Sequence, residues 1–221
     1  MISSWPCPIP DGMAEEAAIV FDRGRALRML VVPALFDEAN RLRRQTMELM
    51  RRLDRLGIDC FLPDLPGTGE SLRPGESISL DDWRAAMASA AEHFRANHAL
   101  ALRGGALVRP NLPGPDHAPV KGATILRQLL RMRVLSAREA GRTERADDLL
   151  VRALTEGIEL AGYRLGPAMV AQLEAAMPDE GRPVISQGDI GGGALWLRAE
   201  AGEDPVQADG LAQRVAAGIG A

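Results

Sequence analysis

Histidine and cysteine are scarce in these 221 residues, three and two respectively, and where they fall excludes more than their number does. Cys7 and Cys60 make no C-x-x-C motif and no Cys/His cluster, so neither a disulfide framework nor a zinc site is expected, and a reduced, cytoplasmic setting follows. The opening stretch, Met1 to Pro10, lacks a basic start and a long apolar run. Nowhere does the chain approach the roughly 18 uninterrupted apolar residues of a membrane span. The sequence thus predicts neither export nor an integral membrane segment. With 26 basic against 30 acidic residues the net charge is −4, which gives no case for nucleic-acid binding. Gly191-Gly-Gly193 is read as a flexible turn, because a strand is expected after it where a phosphate loop needs a helix. No metal and no cofactor is called for.

What is present is a core-forming composition in a chain long enough to bury roughly 70% of its unfolded surface. The arginines are uneven: Arg41, Arg43, Arg44, Arg51, Arg52 and Arg55 form one group, and Arg127, Arg131 and Arg133 another. Each group sits at helical spacing beside leucines, the pattern of a solvated helix face, with an anionic partner as the alternative.

Residues 28–36 read as a buried strand whose end is marked by Pro33, and 38–56 as a helix with Leu42, Thr46, Leu49, Met50, Leu53 and Leu56 on one face and Gly57 closing it. A second strand, 58–62, runs into the Pro- and Gly-rich loop Pro63 to Ser71. Ser79-Leu-Asp-Asp82 is a capping-box pattern opening a helix that buries Trp83, Met87, Ala90 and Phe94, and a strand at 99–102 follows. Further helices are predicted over 123–140, 144–160, 167–177 and 206–217, with late strands at 182–187 and 194–198. Alternating strands and helices predict an α/β protein with a mostly parallel, doubly wound sheet. Right-handed crossovers would gather Glu38, the Asp64–Ser71 loop and Arg103 at the carboxyl edge of that sheet. Between Arg109 and Pro119 the chain is too rich in proline for the crossover helix due there, so a shortened crossover is expected, with the bare sheet face covered by later helices or by a second copy of the chain.

Asp64-Leu-Pro-Gly-Thr-Gly-Glu-Ser71 resembles the D-x-x-G-x-G-x-S loop of the α/β-hydrolase superfamily, and Ala101-Leu-Arg-Gly-Gly105 occupies the place of its G-x-S-x-G turn. The runs Phe36 to Arg44, Arg103 to Leu107, Gly122 to Arg131 and Ala194 to Glu200 resemble, more narrowly, the hydrolase-like proteins encoded beside exosortase systems. The resemblance implies a sheet of the α/β-hydrolase type, one domain over residues 1–221, and a helical insertion or cap-like segment over 120–180. It also implies a link to exopolysaccharide production or exosortase-type sorting.

The same motif puts Arg103 where the nucleophile would stand. A guanidinium stays protonated and offers five donors and no acceptor, so it holds anions and attacks nothing. The histidines, His93, His98 and His117, all precede the position of the family's base, and Asp189, after a late strand, has none to orient. Ser71 as a displaced nucleophile and Asp64 as a water-activating acid are the remaining catalytic candidates, with a turn-fixing role as the rival for Ser71. Arg103, Gly104 and Gly105 would form an anion site at a strand-to-helix turn, or Arg103 would pair internally with Glu38 or, next, Asp37. Three functions stay open: a catalytically degenerate binding or accessory protein taking a small anionic ligand or a protein partner; a hydrolase of an anionic ester or thioester that uses Asp64 or Glu38, with Arg103 gripping substrate; and an interaction protein docking an acidic partner or an anionic membrane surface through the Arg127–Arg138 helix.

Overall fold

The computed structural model describes residues 1–9, 12–69, 71–198 and 200–220, so Glu70 of the loop motif and Ala199 lie outside the described residues. The chain opens with an antiparallel hairpin, β1 (Ile2–Ile9) and β2 (Gly12–Phe21). Then come β3 (Arg28–Val32), α1 (Asp37–Arg55), β4 (Asp59–Pro63), α2 (Leu80–His93) and β5 (His98–Leu102). A 3₁₀ turn (Arg103–Leu107) leads to β6 (Asp116–His117), α3 (Gly122–Glu139) and α4 (Ala146–Glu156). The small hairpin β7 (Ile158–Leu160) and β8 (Tyr163–Leu165), α5 (Pro167–Ala175), β9 (Val184–Ile185), α6 (Gln187–Ile190) and α7 (Pro205–Gly218) complete it.

Seven strands form one sheet in the order β1-β2-β4-β3-β5-β6-β9. The pairs from β4 to β9 are parallel, and β2 joins β4 antiparallel. Alternation along β3 divides the core. Met29 and Val31 face α1 and α7, packing with Leu49, Leu53, Leu211 and Val215; Leu30 and Val32 face α2, α3 and α5, packing with Trp83, Met87, Leu129 and Val170. Helices on both faces of a mostly parallel sheet make it doubly wound. The Ser79 capping box forms as read: the Asp82 amide donates to Ser79 Oγ at 3.2 Å and the Ser79 amide to Asp82 Oδ2 at 2.8 Å.

Where a crossover helix would follow β5 there is only the five-residue 3₁₀ turn and an extended, proline-rich run to β6. Ile125, Leu126, Leu129 and Leu130 of α3 and Val170 and Leu173 of α5 fold back into the cluster on that face, so the apolar sheet is covered from within the chain.

Several expectations are corrected. The β1–β2 hairpin has no counterpart in the reading above, because Pro6 and Pro8 hid a strand; at a sheet edge proline costs no ladder bond, and Trp5 and Cys7 alternate inward. The strand read over 28–36 with its end marked by Pro33 runs from Arg28 to Val32, and the buried Ala34, Leu35 and Phe36 lead from it into α1. The helix expected over 144–160 ends at Glu156, where Gly157 takes φ 77° and Ile158 starts a hairpin. The strand expected over 182–187 shrinks to two residues, and that over 194–198 does not form: Gly191 and Gly192, at φ 73° and 71°, turn the chain into a 3₁₀ turn, Leu195–Leu197.

Candidate functional site

At the carboxyl edge of the sheet, Arg103 leaves β5 with φ 54°, a left-handed conformation that a residue with a Cβ adopts only under constraint. The tightness of the turn supplies that constraint. A Cβ on Gly105 would lie 2.4 Å from the Pro33 carbonyl oxygen and 2.8 Å from that of Val32, and one on Gly104 would lie 2.7 Å from Ile125 Cδ1. The glycines are therefore needed for the β5 turn to pass against the end of β3.

The guanidinium is satisfied on several sides. Nε donates to Glu38 Oε2 and Nη2 to Glu38 Oε1, each at 3.1 Å, in a bidentate fork, while Nη1 donates to the Ala118 carbonyl at 2.7 Å. The Trp196 ring lies over it, 4.1 Å from guanidinium carbon to ring centroid. Glu38 sits in the first turn of α1, where the helix dipole favours an acid, and Phe36 at φ 54° aims that turn inward. Asp37 pairs instead with Arg41, whose Nη1 also donates to the Trp196 carbonyl at 3.0 Å and so anchors the covering turn.

His117 comes to lie beside this turn although it precedes the position expected for a base. It lies in β6 beside Leu102, buried, with Nδ1 3.0 Å from the Ile185 carbonyl and its ring edge-on to Trp196. A carbonyl only accepts, so Nδ1 carries the proton. Burial holds His117 below the usual histidine pKa; the Ile185 carbonyl opposes this, and Arg103 adds to it. His93 is exposed at the end of α2, and His98 opens β5 at the opposite edge of the sheet.

The other sequence candidates lie apart from this turn. Ser71 Oγ donates to Glu16 Oε1 at 2.8 Å and accepts from the amides of Gly67 at 2.8 Å and Arg73 at 3.3 Å, which ties the loop to β2. Asp64 follows β4, with its carboxylate against Gly69, in a cavity of about 90 Å³ that Arg43 and Tyr163 also line. Asp189 is exposed and occupied in a capping box with Ser186. In α3, Arg127, Arg131 and Arg138 are exposed, whereas Arg133 is forked onto Glu144 at 2.8 and 3.0 Å. Among the described residues no group of three or more histidine, cysteine and acidic side chains is arranged to hold a metal, and no helix is long and apolar enough to cross a membrane.

A cleft of about 460 Å³ opens beside the Arg103–Glu38 pair, between the start of α1, the stretch of α3 from Ile125 to Leu135 and the Leu195–Leu197 turn. Leu35, Phe36, Leu129, Met132 and Trp196 give it apolar walls, and Asp37, Glu38, Arg41 and Arg131 its charges. Sequence reasoning missed Trp196 as part of the site because it assigned that segment to a strand, whose outward or inward side chains it could not aim.

No protein-family model matches this chain, and no curated protein matches its sequence. Solved structures do. A candidate hydrolase from Agrobacterium vitis S4 superposes with a TM-score of 0.60 at 16% identity, covering 99% of this chain and 98% of its own. Alpha/beta hydrolase domain-containing protein 10 from mouse gives 0.49 at 13% identity over 78% of this chain and 69% of its own. Smu.1393c from Streptococcus mutans gives 0.48 at 13% identity over 100% and 97%. The chain has the α/β-hydrolase fold.

Proposed function

We propose that this protein is a catalytically degenerate member of that fold which binds a ligand or partner at the vestige of the active site. The observation that carries the reading is Arg103. It stands in the left-handed turn where the fold presents a nucleophile, yet it is cationic, forked onto Glu38 and roofed by Trp196. A serine-hydrolase mechanism needs a hydroxyl there and a basic imidazole within reach of it. His117, the histidine beside this turn, is buried with its Nδ1 engaged by a strand carbonyl. Ser71 is engaged by Glu16 and two backbone amides, which fits a turn-fixing role.

Within this reading Arg103, Gly104, Gly105, Glu38 and Asp37 form the binding end of the site, and residues 120–180 act as a cap-like helical segment of a single domain, taking the place of the lost crossover helix. An accessory role in exopolysaccharide production or exosortase-type sorting rests on the sequence resemblance alone, and a cytoplasmic setting on the two cysteines that form no framework. A fluorophosphonate probe tests the central claim: no serine should be labelled, and the purified protein should hydrolyse no member of a broad ester and thioester panel. Stoichiometric labelling, at Ser71 above all, ends the reading.

A further inference from the structure

Building on that non-catalytic reading, we infer that the cleft beside Arg103 binds a monocarboxylate with a long apolar tail, and that Glu38 is an internal stand-in for the ligand's carboxylate. The argument starts with charge. Of the four charged residues lining the cleft, Asp37 pairs with Arg41 and Glu38 with Arg103. Arg131, exposed on α3, makes no ion pair or hydrogen bond among the described residues, so the lining is left with one unmatched positive charge. A monoanion complements it.

The shape of the anion is set by the fork. Arg103 presents Nε and Nη2 edge-on to two carboxylate oxygens at 3.1 Å each, and a planar carboxylate is the group that reproduces both bonds. Glu38 both lines the cleft and makes this fork, so it lies between the open space and the guanidinium. Its side chain and that of Arg103 keep 12% and 10% of their exposure, which leaves a route for exchange. When Glu38 swings into water, the Ala118 carbonyl and the Trp196 ring still hold the guanidinium in place.

The tail is set by the walls. Leu35, Ile125, Leu129, Met132 and Trp196 line the interior, and Leu135 and Leu197, 48% and 69% exposed, extend the apolar surface at the rim. A volume of about 460 Å³ falls in the size range of small-molecule sites, about 300 to 1,000 Å³. An apolar chain buried there gains roughly 0.8 kcal/mol per methylene, close to fourfold in affinity. A polar sugar would leave these walls unmatched.

The test is calorimetric titration of the full chain with decanoate, hexanoate, acetate and decanol. Affinity should rise about fourfold per methylene from hexanoate to decanoate until the cleft is filled, with acetate undetectable and decanol at least about tenfold weaker than decanoate. Glu38→Ala removes the internal competitor and should tighten decanoate by about tenfold, as for one freed charge-assisted contact. Glu38→Ala with Arg103→Met removes both partners of the fork and should lose that gain. Decanol binding as well as decanoate, or Glu38→Ala leaving affinity unchanged or weaker, overturns the inference while leaving the non-catalytic reading intact. Turnover of decanoyl esters by the wild-type chain would overturn the non-catalytic reading itself.

Discussion

Arg103 and Arg109 stand on either side of the turn that follows β5, and each is matched by one carboxylate, Glu38 for the first and Asp116 for the second. Arg103 meets its partner through a two-bond fork at the mouth of a cleft, with side-chain exposures of 10% and 12%. Arg109 meets Asp116 through one Nη atom, with exposures of 4% and 1%, and its two Nη groups also donate to the carbonyls of Gly114, Ala99 and Leu112. The second guanidinium thus ties the extended segment, through Leu112 and Gly114, to Ala99 of β5. The same pairing of residue types is sealed from water in one place and reaches the mouth of a cleft in the other.

The largest effect should come from breaking the sealed pair. Arg109→Met strands Asp116 at zero exposure and orphans three carbonyl contacts, so stability should fall by roughly 3 to 5 kcal/mol in chemical denaturation. Adding Asp116→Leu should recover only part of this, because the carbonyls stay unmatched. Full recovery would mean that the carbonyl contacts contribute nothing.

Arg103→Met should cost less, about 1 to 3 kcal/mol, because the released Glu38 can turn into the adjacent cleft and be hydrated. A loss equal to that of Arg109→Met would erase the distinction between the two pairs. Trp196→Ala sharpens it further. Removing the ring should weaken decanoate binding while leaving denaturation of Arg109 variants additive, since ring and sealed pair share no partner among the contacts described.

Glu16 gives the limiting case of a buried acid held by a hydroxyl in place of an arginine fork. Its carboxyl is 3% exposed, and burial pushes its pKa above the usual carboxylate range, against the pull of the Ser71 hydrogen bond and of Arg73, with Asp64 adding to the push. A folded pKa above the unfolded one means stability that is fully present below the unfolded carboxylate value and lost as pH rises through the folded one. Glu16→Gln should therefore flatten the loss of stability on going from acid to neutral pH, by less than either arginine effect. An unchanged pH profile would show that Glu16 is hydrated in solution.

Local chemistry made much of this legible in advance. The Leu42, Leu49 and Leu53 stripe, the Ser79 capping box, Gly57 and the proline run after Arg109 each act within a few residues, so the helices α1 and α2, the parallel strands β3, β4 and β5 beside them and the short crossover could be read directly. The position of Arg103 in the tight turn after β5 was legible for the same reason: it is a property of one motif. The hairpin β1–β2 was hidden by Pro6 and Pro8, while the two-residue strand β6 and the hairpin β7–β8 carry too few residues for a period to show and exist because a neighbour completes their hydrogen bonds.

Residue types alone nominated Glu38 and Asp37 as partners for Arg103; only the folded chain decided that Glu38 makes the fork while Asp37 turns to Arg41. It also decided that Trp196 roofs the guanidinium, that His117 is buried beside it, and that Ser71 closes on Glu16 across 55 positions of sequence. Those contacts depend on where separate elements come to rest, and burial, which sets the strength of each charge in them, is a property of the packed molecule.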